Sequence, residues 1–203
     1  RYLWVKDDDE FLQNHYDLLK WFSLTTGKSL DKRKEGAIWF SQISVRNLSD
    51  SENPCRYIEN IETGITQTNE TKPDDLFDRS NLSKGDFYGD CKINNEYIRY
   101  DYFAKSTDVD NNIYEFDLKI DKELFDSLND KIVIEIVYFD VNDAIWGVFF
   151  DNKNQSTIES GNTGNIKTVK FYFNKNLIKN NEFKIKTINN KNIKLRLLRI
   201  MNQ

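Results

Sequence analysis

Apolar and polar residues alternate with a period of two through much of the second half of the chain. Ile132, Ile134, Ile136 and Tyr138 fall on one face of a run in which Val133, Glu135, Val137 and Phe139 fall on the other. A short polar turn follows. Beyond it Trp146, Val148 and Phe150 alternate with Gly147 and Phe149. Such spacing, in β-branched and aromatic residues, marks two strands at 131–139 and 145–150. Further strands are expected at 97–103, 113–118, 168–173, 182–187 and 193–200, separated by Asn, Asp and Gly turns. Ala37-Ile38-Trp39-Phe40 and residues 56–61 are shorter strand signals. Leu124, Phe125 and Leu128 fit one helical turn. Strands at this density without intervening helices imply an antiparallel sandwich.

The first third reads differently. Over residues 8–26, Phe11, His15, Leu18 and Phe22 share one helical face, with Leu12, Tyr16 and Leu19 beside it. Asp7 or Asp8 can cap the start, and Gly27 stands where a helix end favours glycine. Residues 47–96 are polar and turn-rich and hold both prolines and both cysteines. The expected architecture is mainly β: a jelly-roll-like antiparallel sandwich with an N-terminal helix and a loop-rich, disulfide-stapled segment. Its divisions are a helical segment at 1–46, a lobe at 47–96 packed on the sandwich, and the sandwich module at 97–203.

Composition sharpens this. Only 38% of the 203 residues are hydrophobic, but 14% are aromatic, enough large side chains to fill a core. A net charge of −4 with no basic stripe argues against nucleic acid as a partner. No apolar run is long enough to span a bilayer. The opening Arg1-Tyr2-Leu3-Trp4-Val5 reads as the start of a mature or excised piece. Cys55 and Cys91 are expected to form a disulfide, the alternative being two buried thiols. Asn47, Asn69, Asn81 and Asn154 begin glycosylation sequons. Disulfide and sequons together place the chain outside the cell or on its surface.

The inventory for catalysis is poor. His15 is the only histidine, and it sits on an apolar helical stripe, as a packing residue does. Asp7, Asp8, Asp9 and Glu10 are too close in sequence to oppose one another as acid and base. Two turns could offer calcium a set of oxygens: Asp108, Asp110, Asn111 and Asn112, and then Asp140, Asn142 and Asp143. The same residues are favoured in turns that bind nothing. For stacking on sugar rings the aromatics to consider are Tyr172, Tyr102, Trp146 and Tyr114. Trp146 and Tyr114 share faces with apolar neighbours, which gives them a core reading, whereas Tyr172 lies opposite Phe171 and Phe173 and reads as a surface ring.

The order of motifs resembles a β-sandwich module at the C-terminal end of secreted glycoside hydrolases and related polysaccharide-processing proteins. In that family Thr-Asp precedes an aromatic-x-Phe-Asp strand, as Lys105-Ser106-Thr107-Asp108 precedes Tyr114-Glu115-Phe116-Asp117 here. Tyr138-Phe139-Asp140, then Trp146-Gly147-Val148-Phe149-Phe150-Asp151, match its next two strands. Ile166-Lys167-Thr168, Glu182-Phe183-Lys184-Ile185 and Ile193–Ile200 match the last three, with Ile166 in place of a Trp and Phe150 in place of a Tyr. The helix ending Thr26-Gly27-Lys28, followed by Trp39, looks similar to the last helix of the barrel that precedes the module. The resemblance covers Tyr102 to Ile200. It implies a non-catalytic accessory module that binds glycan or braces a catalytic domain, in a fragment of a larger enzyme. The competing expectation is a structural or adhesive subunit working through protein contacts.

Overall fold

In a computed structural model of the chain, the structure describes residues 34–40, 44–46, 55–57, 60–75, 92–93, 96–97 and 103–203. The chain is mainly β, and its strands build two antiparallel sheets stacked over a shared core. The strands, numbered in chain order, divide between them as follows. One sheet has seven strands: β1 (Glu35–Trp39), β4 (Ile61–Thr63), β6 (Lys72–Asp75), β9 (Phe103–Ser106), β11 (Lys131–Phe139), β14 (Ile166–Asn174) and β16 (Lys194–Asn202). They run in the order β14-β11-β16-β1-β4, while β9 pairs with the start of β16 and carries β6 on its other side. The second sheet has five: β5 (Ile65–Gln67), β10 (Glu115–Ile120), β12 (Ile145–Phe150), β13 (Lys153–Glu159) and β15 (Glu182–Thr187), ordered β13-β12-β15-β10-β5. Two small ribbons pair β2 (Ser44–Arg46) with β3 (Cys55–Tyr57) and β7 (Lys92–Ile93) with β8 (Glu96–Tyr97).

The alternation seen in the sequence becomes the core. Ile132, Ile134, Ile136 and Tyr138 of β11 meet Phe116, Leu118 and Ile120 of β10 and Trp146, Val148 and Phe150 of β12 in one buried cluster. Aromatic rings interlock there edge to face. The Tyr138 and Trp146 centroids are 5.1 Å apart, and those of Phe150 and Phe173 are 4.8 Å apart. Such pairs contribute about 1 kcal/mol each beyond the area they bury. Between β10 and β11 a short helix, α1 (Lys122–Ser127), closes the sandwich end with Leu124 buried. The Asp121 carboxylate caps it by accepting from the Glu123 and Leu124 amides.

The strands expected at 131–139, 145–150 and 182–187 stand at those bounds. The sheets also recruit β1, β4, β5 and β6 from residues 35–75, so the sandwich reaches well upstream of residue 97. β13 had no sequence signal. It is a polar edge strand that gives only Ile158, partly buried, to the core. The helix expected over 8–26, the Cys91 half of the disulfide and the strand residues 98–102 lie outside the described residues. Of Cys55 only the backbone is described, opposite Arg46.

Asparagine does much of the turning. Asn112, Asn142, Asn152, Asn162, Asn180, Asn181 and Asn190 all hold positive φ, as do Asp143 and Asp151. Asp151-Asn152, with φ of 50° and 59°, joins β12 to β13. Positive φ at both central residues matches the right-handed twist of a hairpin. In a chain with only eight glycines, Asn takes the left-handed positions because its short side chain tolerates them.

Candidate functional site

The most developed surface feature lies on the outer face of the five-stranded sheet. In β10 the inward residues are Phe116, Leu118 and Ile120, so Glu115, Asp117 and Lys119 face out. Their cross-strand partners in β15 are Lys186, Lys184 and Glu182. Opposite charges stand across from each other at every step, the favourable arrangement for a cross-strand pair. Lys184 Nζ lies 2.5 Å from Glu115 and 3.1 Å from Asp117. Lys186 reaches Glu115 at 3.3 Å, and Lys119 reaches Glu182 at 3.1 Å. Burial works to raise the Glu115 carboxyl, but hydrogen bonds and charge from Lys184 and Lys186 hold it below its ordinary value. The Glu115 carboxylate raises Lys184 in turn.

This charged ladder floors a shallow furrow of three adjoining hollows of about 350 to 360 Å³. Two half-buried aromatic rings flank it. Phe149 stands in register with Lys184, and Tyr114 lies just before β10, its hydroxyl donating to Asn112 Oδ1 at 3.1 Å. Tyr114, Phe149, Lys186 and the exposed Ile188 line the same hollow. Gly147, level with Lys186, lets the β13 backbone approach β12 closely. A Cβ there would lie 2.1 Å from the Ser156 carbonyl oxygen. At the β5 edge Asn69 completes the wall. Its amide donates to Glu115 O at 2.8 Å and its carbonyl accepts from Asp117 N at 2.8 Å, in the manner of a strand residue.

The sequence expectations distribute as follows. Tyr172 is 60% exposed, but on β14 of the other sheet, remote in topology from the furrow. Trp146 is fully buried between Tyr138 and Phe171, with its indole N–H donating to Ser160, so no sugar can reach it. Tyr102 lies outside the described residues. Tyr114, given a core reading from its parity with Phe116, precedes the strand and lines the furrow instead. Phe149 was passed over. Its signal was present, because it alternates with Trp146, Val148 and Phe150 and is therefore an aromatic ring on the outer face.

In each of the two oxygen-rich turns one carboxylate, Asp140 and Asp108, is held by the protein's own donors. Asp140 is buried and accepts from Gly161 N at 2.6 Å and from Thr163 N and Oγ1 at 3.2 and 2.6 Å. Lys167 Nζ completes its shell at 2.6 Å. Burial would raise this carboxyl, but these partners hold it far below the usual range. A calcium ion would have to displace all of them, so Asp140 does not fit that role. Asp108 accepts from the Asn111 amide at 2.8 Å, Asn112 is left-handed, and Asp143 turns the chain with φ of 47°. Asp110 is exposed in the same 3-10 turn. Among the described residues no group of three His, Cys, Asp or Glu side chains could hold a metal ion.

Of the sequons, Asn154 is exposed on edge strand β13, and Asn69 is tied to β10 through its side-chain amide. Asn47 and Asn81 lie outside the described residues. Among the described residues no helix is long and apolar enough to cross a membrane. No protein-family model matches this chain, and no curated protein matches it.

Proposed function

We propose that this chain is a non-catalytic, jelly-roll-like β-sandwich module of a secreted or cell-surface protein, and that it binds glycan in the furrow on its five-stranded sheet. One observation carries the reading: two partly exposed aromatic rings, Tyr114 and Phe149, border a rigid polar floor of paired carboxylates and lysines. Sugars present an apolar C–H face and a rim of hydroxyls. The rings suit the first, and the oriented charges suit the second as acceptors and donors. Among the described residues the furrow holds no histidine, and the acids of its ladder, Glu115, Asp117 and Glu182, are tied to lysines 2.5 to 3.3 Å away, which suits recognition better than proton transfer.

The test is binding of the chain to a panel of polysaccharides by calorimetry or affinity electrophoresis. Tyr114→Ala and Phe149→Ala should each weaken binding by about fivefold, since a ring contact contributes on the order of 1 kcal/mol. Tyr172→Ala on the opposite sheet should leave it unchanged. Binding that is lost only in Tyr172→Ala would move the site, and absence of binding to every polysaccharide would refute the reading.

A second reading has its own observation. β14 is a nine-residue edge strand that presents Tyr172 and Ile166 to solvent. An edge of that length can template pairing with another chain, as an adhesive subunit would use it. Self-association on gel filtration that Tyr172→Lys abolishes would favour this alternative.

A further inference from the structure

The furrow's charges say what kind of polymer it takes. Among the described residues five carboxylates line it: Glu70, Glu115, Asp117, Asp151 and Glu182. Facing them are Lys119, Lys179, Lys184 and Lys186, and among the described lining residues there is no arginine or histidine. Three of the lysines are already held by carboxylates at 2.5 to 3.3 Å, and Lys179 donates to the Asn176 carbonyl at 3.1 Å. Recognition of an anionic sugar needs a cation with donors to spare, commonly an arginine fork. At the ladder itself an incoming uronate or sulfate would have to take Lys184 from Glu115 and Asp117, and would leave those two carboxylates facing its own charge, while Lys179 lines the furrow beside Glu182, to which its backbone is bridged.

We infer that the furrow selects uncharged polysaccharide chains and rejects uronic-acid and sulfated ones, with Glu115 as the residue that sets this preference by occupying both Lys184 and Lys186. A neutral sugar keeps the ladder intact. Its hydroxyls donate to the outer lone pairs of Glu115 and Asp117 while its apolar face lies on Tyr114 and Phe149. Because a neutral sugar brings no charge to the site, there is little for salt to screen and binding is nearly independent of ionic strength.

This inference rests on the glycan reading of the furrow, and one experiment separates the two. The chain is titrated against neutral polymers (xylan, mannan, β-glucan, glycogen) and anionic ones (polygalacturonate, dextran sulfate) at low and high salt. Binding to a neutral polymer at both salt concentrations, with none to the anionic set, is the expected result. Salt-sensitive binding to an anionic polymer that is lost in Lys184→Ala overturns the selectivity while leaving a glycan site in place. Binding to no polymer overturns both. Glu115→Gln, which keeps the shape, frees Lys186 and leaves Lys184 to Asp117 alone, should gain salt-sensitive binding to dextran sulfate of at least tenfold over the parent. A Glu115→Gln chain that unfolds at the same urea concentration as the parent and gains nothing also overturns the inference.

Discussion

Replacing Glu135 by alanine tests how the larger sheet carries charge on its outer face. Glu135 lies in the middle of β11, opposite Lys170 of β14 and Arg199 of β16. It accepts from Arg199 Nη1 at 2.8 Å and pairs with Lys170 Nζ at 3.1 Å. Both Glu135 and Arg199 are buried, each side chain 8% exposed, whereas Lys170 is half exposed and counts for little. Removing one partner of a buried pair strands the other, which costs 3–5 kcal/mol by order of magnitude. Arg199 retains Glu35 at 3.3 Å, so about 3 kcal/mol, the lower end, is expected for Glu135→Ala. Burial works to raise the Glu135 carboxyl, but Lys170 and Arg199 hold it below its ordinary 4.5. Its stabilising contribution is therefore present above that pH and lost as the pH falls further. Urea unfolding followed by tryptophan fluorescence, at neutral pH and again below pH 4.5, reads both effects. The variant's deficit should shrink in acid. The double variant Glu135→Met, Arg199→Leu should recover most of the loss, because a well-packed apolar pair can replace a buried ionic one at little cost. A deficit under about 1 kcal/mol at neutral pH, or one that does not change with acid, would refute the reasoning.

Two further outcomes follow from single contacts. Asp140→Asn sets an amide against the Gly161 and Thr163 N–H groups and removes the Lys167 ion pair. It should cost about 2–3 kcal/mol at neutral pH and speed hydrogen exchange at the Gly161 amide. Because the carboxyl is held below its ordinary 3.8, that deficit should narrow only as the pH drops beneath that value. Gly147→Ala drives a Cβ to 2.1 Å from a backbone oxygen of β13, so it should destabilise the fold and lower the thermal midpoint. An unchanged midpoint would mean that β13 yields freely.

The bulge in β16 shows where reading the chain reaches its limit. The register of β11 on β16 shifts between Val137, opposite Leu197, and Tyr138, opposite Leu195, so Arg196 is the residue that bulges, its carbonyl accepting from Phe40 N at 2.9 Å. After it the alternation resumes one residue out of step. Leu195, Leu198 and Ile200 enter the shared core, while Leu197 joins Ala37, Trp39 and Val137 in a separate buried cluster. Arg196 is buried with its guanidinium 5.2 Å from the Trp39 ring. No periodicity in Leu195-Arg196-Leu197-Leu198 announces this, because the bulge exists only against a partner strand.

By itself the sequence determined the class of structure and its central strands. Side chains on a strand alternate faces, so β11, β12 and β15 carry their burial in their own residues. It determined the turns as well, since Asn and Asp tolerate positive φ locally. What it left open was every feature made by a partner: the polar edge strand β13, the recruitment of residues 35–75 into both sheets, and the partial exposure of Tyr114 beside the furrow. The furrow belongs to the same kind. Glu115, Asp117, Lys184, Lys186, Tyr114 and Phe149 come from three stretches of chain, and each alone reads as ordinary strand surface. Antiparallel pairing of β10, β15 and β12 sets them side by side, and cross-strand neighbours are fixed by register, which only the folded sheets supply.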